Sequence, residues 1–109
     1  MPSQYLVAAA NLTEGIAVGF ANGSLAILNL QLEIQWEINV HSDLLTDVVE
    51  LPGTFVSCSL DGSVVFIDVL SRNVLQRLEF DQPLWQLTSF EEFVYVAGSP
   101  SVRINSLTY

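Results

Sequence analysis

Apolar residues in this chain fall into short runs separated by turn-forming residues, and no run carries an amphipathic helical period with caps at both ends. Valine, isoleucine and phenylalanine dominate the runs, as a pleated and well-packed surface favours. The pattern predicts strands at Tyr5–Leu12, Ile16–Phe20, Leu25–Leu30 and Glu33–Val40, then at Leu45–Leu51, Thr54–Ser59, Val64–Val69 and Asn73–Phe80. Three more are expected at Leu84–Phe90, Phe93–Gly98 and Val102–Thr108. Asn22-Gly23 and Asp61-Gly62 are two-residue turns that tolerate positive φ and close tight hairpins, and Pro52-Gly53 closes another. The segments Ile16–Phe20 and Phe93–Gly98 are nearly continuous apolar runs, which suits strands buried on both faces between stacked sheets.

These strands belong to a repeat. A shift of 39 residues places Leu12 on Leu51 and Phe90, Ile16 on Phe55 and Val94, and Asn22-Gly23-Ser24 on Asp61-Gly62-Ser63. The same shift lays Leu25–Leu30 over Val64–Val69. A third copy follows at Val102–Leu107 after deletion of one residue in the Ser99-Pro100 turn. The expected fold class is therefore all-β, with four-stranded antiparallel units at 1–40 and 41–80 and a partial unit at 81–109 that lacks its outer strand.

Four strands per repeat, with Asp-Gly before the third, resemble the blade of a β-propeller, and the second repeat resembles a WD40 repeat. The residues that carry the resemblance are His41-Ser42-Asp43 before the first strand, Leu51-Pro52-Gly53, Ser57-Cys58-Ser59-Leu60-Asp61-Gly62-Ser63, and the closing Ile67-Asp68. The chain departs from the family where Val40 replaces the glycine before the histidine, and where Ile67-Asp68 and Leu28-Asn29 replace Trp-Asp. The resemblance implies an incomplete β-propeller with a buried polar network, in which His41 donates to Asp61 and a second-strand serine, Ser57 ahead of Ser59, completes the relay. It also implies a non-enzymatic scaffold for protein–protein assembly. The same three residue types could make a Ser-His-Asp hydrolase triad, but no strand–turn–helix elbow accompanies them.

Composition narrows the function classes further. Twelve acidic residues against three arginines and no lysine give a formal charge of −9. Such a surface repels phosphate backbones and anionic lipid, so no nucleic-acid or membrane partner is expected. The single cysteine, Cys58, has no internal disulfide partner and falls in a strand of buried type. The Met1-Pro2-Ser3-Gln4-Tyr5 start has no basic region of a signal peptide, so a cytoplasmic or nuclear location is expected. One histidine and one cysteine do not make a tetrahedral metal site, and no glycine-rich phosphate cradle is present, so no metal and no cofactor is expected.

Asp43, Asp47 and Glu50 form an acidic stretch suited to a solvated rim, and they are the candidates for contact with a basic partner peptide. Trp36 on an outer strand is a candidate interface anchor, whereas Trp85, beside Leu84 on an innermost strand, is expected to pack inside. Fewer than three complete blades do not close a ring, so the outer faces of the first and last units should stay open and drive association with copies or with other blades. The competing readings are a fragment of an enzyme or ligand-binding propeller with a central-channel site, and a truncated or designed repeat fragment.

Overall fold

The computed structural model describes residues 6–12, 15–90, 93–98 and 102–105. Expected strand ends at Tyr5 and at Ser106–Thr108 lie outside them. The described residues contain eleven strands and no helix: β1 Leu6–Leu12, β2 Gly15–Phe20, β3 Ser24–Leu28, β4 Ile34–Asn39, β5 Leu45–Leu51, β6 Thr54–Ser59, β7 Ser63–Asp68, β8 Val74–Glu79, β9 Gln86–Phe90, β10 Phe93–Ala97 and β11 Val102–Asn105. They pair as three antiparallel meanders, β1-β2-β3-β4, β5-β6-β7-β8 and β9-β10-β11. The inner strand β5 lies beside β1 on one side and β9 on the other. This is an incomplete β-propeller, and the meanders are its blades 1, 2 and 3.

Two apolar layers hold the blades together. Ala17, Leu25 and Ile27 of blade 1 pack with Leu45, Val48, Phe55, Val65 and Ile67 of blade 2. On the opposite face of blade 2, Val56, Cys58, Val64 and Phe66 pack with Leu84, Leu87, Val94 and Val96. Successive residues of β6 and β7 thus point to different layers, and every residue of β6 is buried. Strand alternation in a sheet covered on both sides requires this, and it explains why Phe55-Val56 and Val64-Val65-Phe66-Ile67 are unbroken apolar runs.

The two-faced burial expected for Ile16–Phe20 is not what this strand shows. Residues of β2 alternate, with Ala17 buried and Ile16, Val18 and Phe20 half-buried, because only one side of blade 1 meets another sheet. In β10 the same holds: Val94 and Val96 are buried, while Tyr95 and Ala97 are half-buried.

The repeat is regular where pairing demands it. Asn11↔Ile16 in blade 1 corresponds to Glu50↔Phe55 in blade 2, and Ile16↔Leu28 to Phe55↔Ile67. Beyond β3 the offset grows to 40, since Ile34 and Val74 hold the same place after the same bulge. The extra residue lies in the outer hairpin of blade 2, where Asp68 N donates to Asn73 O; in blade 1 Asn29 N donates to Glu33 O. In blade 3, Val96 pairs with Val102 and Val94 with Ile104. Relative to Cys58↔Val64 this hairpin is tighter by two residues, not the single residue expected. A one-residue slip turns a strand over, whereas two residues preserve which side faces blade 2.

Candidate functional site

Each link between blades begins with a glycine turn. Gly23, at φ 92°, follows Asn22 in the β2–β3 turn, and its carbonyl accepts from Val40 N and His41 N. A Cβ on Gly23 would collide with the His41 carbonyl, so this close approach requires glycine. His41 is thereby fixed at the start of the blade 1–blade 2 link with its ring directed into blade 2, where it is 3% exposed.

The ring is held at both nitrogens. Nδ1 lies 2.6 Å from Ser63 Oγ, and Nε2 lies 2.8 Å from Ser57 Oγ. Ser63 Oγ donates to Asp61 Oδ1 over 2.6 Å, and Ser63 N donates to the same oxygen over 2.8 Å. Ser42 N donates to Asp61 Oδ2 over 2.9 Å, with the Ser42 hydroxyl at 3.3 Å. An ionised carboxylate only accepts, so the Ser63 proton points to Asp61 and its oxygen takes the Nδ1 proton of His41. Nε2 then accepts from Ser57. The whole relay is satisfied with a neutral imidazole in one tautomer.

Electrostatics agree with that assignment. Burial pushes the His41 pKa down to about 4; the Asp61 carboxylate, 3.6 Å from Nδ1, opposes this and the Arg77 guanidinium adds to it. For Asp61 burial acts to raise the pKa, but the hydrogen bonds from Ser63 and Ser42 outweigh it and hold the carboxyl at about 2. Burial pushes the Cys58 thiol up to about 12, against the opposing hydrogen bond with Thr46, so the sulfur stays protonated and unreactive.

His41, Ser57 and Asp61 are therefore brought together, but not in the order expected from the resemblance. His41 reaches Asp61 through Ser63, which spacing alone marks only as part of a turn. The available signal was the repeated Asx-Gly-Ser: Asn22 Oδ1 accepts from Ser24 N as Asp61 Oδ1 accepts from Ser63 N. That turn lays the serine hydroxyl beside the carboxylate. Ser57 Oγ against His41 Nε2 is also the contact a nucleophile and its base would make, but Ser57 is fully buried and its hydroxyl is closed to a substrate.

Other candidates separate. Asp43 is exposed in the link and accepts from Leu44 N. Asp47 lies between blades: Oδ1 accepts from Val48 N, and Oδ2 accepts from Leu87 N of blade 3, both over 2.8 Å. Beside it Thr46 Oγ1 donates to Leu84 O over 2.8 Å. Asp47 thus works as a tie across the blade 2–blade 3 junction. Glu50 lies half-buried further along β5, three residues from Asp47 and so on the other side of the strand. Trp36 is half-buried on β4, stacked on Phe55 with centroids 6.0 Å apart and covered by the Arg72 guanidinium at 5.2 Å. Its ring sits in a blade junction. Trp85, expected to be packed, is instead 55% exposed, whereas Leu84 beside it is fully buried.

An open groove of about 440 Å³ runs over the same link, lined by Asn39, Ser42, Asp61, Arg77 and Glu79 with buried His41 and Ser63 in its wall. Arg77 donates to Val40 O from across it. Every buried side-chain nitrogen and oxygen among the described residues has a partner. No group of three or more metal-ligating side chains occurs among those residues.

No protein-family model matches the sequence, and no curated protein matches it. Solved structures do. The crystal structure of the computationally designed Ika8 protein superposes with a TM-score of 0.84 at 17% identity, over 94% of this chain and 34% of Ika8. The computationally designed Ika4 protein superposes with a TM-score of 0.87 at 16% identity, over 99% of this chain and 70% of Ika4. This chain spans about a third of the length of the first and over two thirds of the second. The likeness is one of fold: an antiparallel all-β repeat architecture, with no WD40 family match behind it.

Proposed function

We propose that this chain is a repeat segment of a β-propeller whose role is assembly, a non-enzymatic unit that completes a ring with further blades. The observation that carries the reading is the contrast between equivalent strands. Phe55, Val56 and Cys58 of β6 are fully buried between two blades, while Ile16, Val18 and Phe20 of β2 are half-buried with a blade on one side. Soluble monomers rarely leave such apolar faces uncovered. The polar relay supports a structural rather than catalytic role, since its serine is inaccessible.

Both similar structures are computationally designed, which favours the reading of this chain as a truncated or designed repeat fragment over that of a scaffold carrying a rim-bound partner. The rim assignment is also weakened by Asp47, and the outer-strand anchor by Trp36, since both are engaged inside the molecule. Asp43 and Glu50 remain the candidates for a basic peptide.

The test is the solution mass of the purified chain across a dilution series, together with binding of an apolar fluorescent dye. Assembly predicts a discrete mass above 12.0 kDa, or a 12.0 kDa species that binds the dye strongly. A folded 12.0 kDa monomer that binds no dye would refute it.

A further inference from the structure

Six of the seven large apolar side chains exposed among the described residues lie in or beside the two outer hairpins. They are Leu30, Leu32 and Ile34 of β3–β4, and Leu70, Val74 and Leu75 of β7–β8. The most exposed pair is Leu30 at 81% and Leu70 at 88%. Ring completion does not account for them. Blade 2 already has a blade on each side, and Leu70 at its hairpin tip is still in solvent.

The two leucines hold equivalent places. Each stands two residues before the left-handed residue of its hairpin, Leu32 in blade 1 and Arg72 in blade 2. Each follows an Asx turn, with Asn29 Oδ1 accepting from Gln31 N over 2.9 Å and Asp68 Oδ2 from Ser71 N over 2.7 Å. The hairpins adjoin, because the Arg72 guanidinium of one lies 5.2 Å over the Trp36 ring on β4 of the other. Their backbone is closed to a visiting strand: the N–H groups of Gln31, Leu32 and Glu33, and of Ser71, Arg72 and Asn73, all donate inside the turns. A partner lying across both tips must therefore satisfy its own backbone, as a helix does.

Charge narrows the partner further. Arg72 is held over Trp36 and Arg77 donates to Val40 O, so both described guanidinium groups are drawn into the blade junction. Each hairpin keeps a carboxylate beside its leucine, Glu33 in one and Asp68 in the other, in a chain of charge −9.

We infer that the tips of the β3–β4 and β7–β8 hairpins, led by Leu30 and Leu70, form a docking surface for a basic amphipathic helix of a partner protein. Its apolar face meets the leucines, and its lysines or arginines meet Glu33 and Asp68. Stacked sheets stand about 10 Å apart and splay outward at a perimeter, a span that two to three helical turns of about 5.4 Å each can cover. The surface lies outside the faces on which the assembly reading rests, so either can fail alone.

Fluorescence anisotropy of a labelled peptide, two heptads of Leu-Lys-Lys-Leu-Leu-Lys-Leu, tests this against the wild type, the double variant Leu30→Ser with Leu70→Ser, and Trp85→Ala on the open face of blade 3. Each variant is first shown to melt cooperatively, and Leu70→Ser alone replaces the double variant if that does not fold. The wild type should bind, the double variant should raise the Kd at least tenfold, and Trp85→Ala should leave it unchanged. The same peptide with glutamate for lysine should bind at least tenfold more weakly. No binding by the wild type, or equal binding by the double variant, overturns the docking surface. Equal binding of the glutamate peptide overturns the basic partner. A loss in Trp85→Ala as large as in the double variant would place the peptide on the open blade face, which overturns the hairpin surface and leaves the assembly reading intact. Phosphatidylcholine vesicles that sediment the wild type but not the double variant would assign the leucines to a bilayer and overturn the helix.

Discussion

His41 is neutral in the folded chain because burial disfavours its charged form, and both ring nitrogens are engaged by serines. Its pKa is about 4 when folded and near 6.5 when unfolded, so between those values the unfolded chain binds more protons. Stability therefore falls as pH is lowered from 6.5 to 4, by up to about 3 kcal/mol at about 1.4 kcal/mol per unit. Asp61 acts lower: its contribution is whole above pH 3.8 and is lost as the pH falls towards 2. Urea denaturation at pH 7 and pH 4.5 should show the drop in the wild type and a clearly smaller one in His41→Gln, the difference removing what other carboxylates contribute. Ser63→Ala should cost about 1–3 kcal/mol at pH 7, since it leaves Nδ1 of a buried ring without its acceptor. His41, Ser57 and Asp61 were legible as a polar set in an apolar repeat. Ser63 was not, because a hydroxyl's partner depends on turn geometry and not on spacing alone.

Among the elements, the outer hairpins carry the clearest local strain. Leu32 and Arg72 close them at φ 66° and 64°, in the left-handed region that β-carbon-bearing residues avoid. In blade 1 the turn is shaped by Asn29, whose Oδ1 accepts from Gln31 N and Glu33 N, leaving Leu32 as the residue forced into that region. Leu32 is 68% exposed, so its side chain contributes little packing in return. Leu32→Gly should stabilise the chain by roughly 0.5–1 kcal/mol, the strain relieved less the backbone entropy of glycine, read as a higher urea midpoint at constant slope. Gly23→Ala should act the other way, by about 2 kcal/mol or more, because the link carbonyl of His41 occupies the space of the new methyl group. Strand positions were legible from apolar runs and Asx-Gly turns. Hairpin lengths were less so: the tighter β10–β11 turn of blade 3 is set by which face must meet blade 2.

At the scale of the molecule, charge opposes what the apolar faces favour. Each chain carries −9, and like charge between chains resists association. Added salt screens that repulsion over a Debye length of about 10 Å at 0.1 M. Association should therefore strengthen as ionic strength rises from 20 to about 300 mM, in the sense also expected of burying Ile16, Val18, Phe20 and Trp85. An association that weakens with salt, followed by light scattering, would point instead to ion pairing as its driving force. The open faces were foreseeable from the number of repeats, but which residues remain on them was not. Trp85 looked like a packed residue of an inner strand and is the most exposed aromatic among the described side chains.

What the amino-acid order determined by itself was local and periodic: strands from β-branched runs, turns from Asn-Gly and Asp-Gly, and a blade from their recurrence every 39 residues. Those features depend on φ, side-chain shape and spacing, all of which act between residues near in the chain. Only the tertiary structure decided that Asp47 ties blade 2 to blade 3, that Trp36 lies on Phe55 under Arg72, and that Ser63 stands between His41 and Asp61. Each of these depends on which blade lies alongside and at what register. Burial on one face or both is likewise a property of neighbouring sheets, and the same apolar run is core in blade 2 and an open face in blade 1.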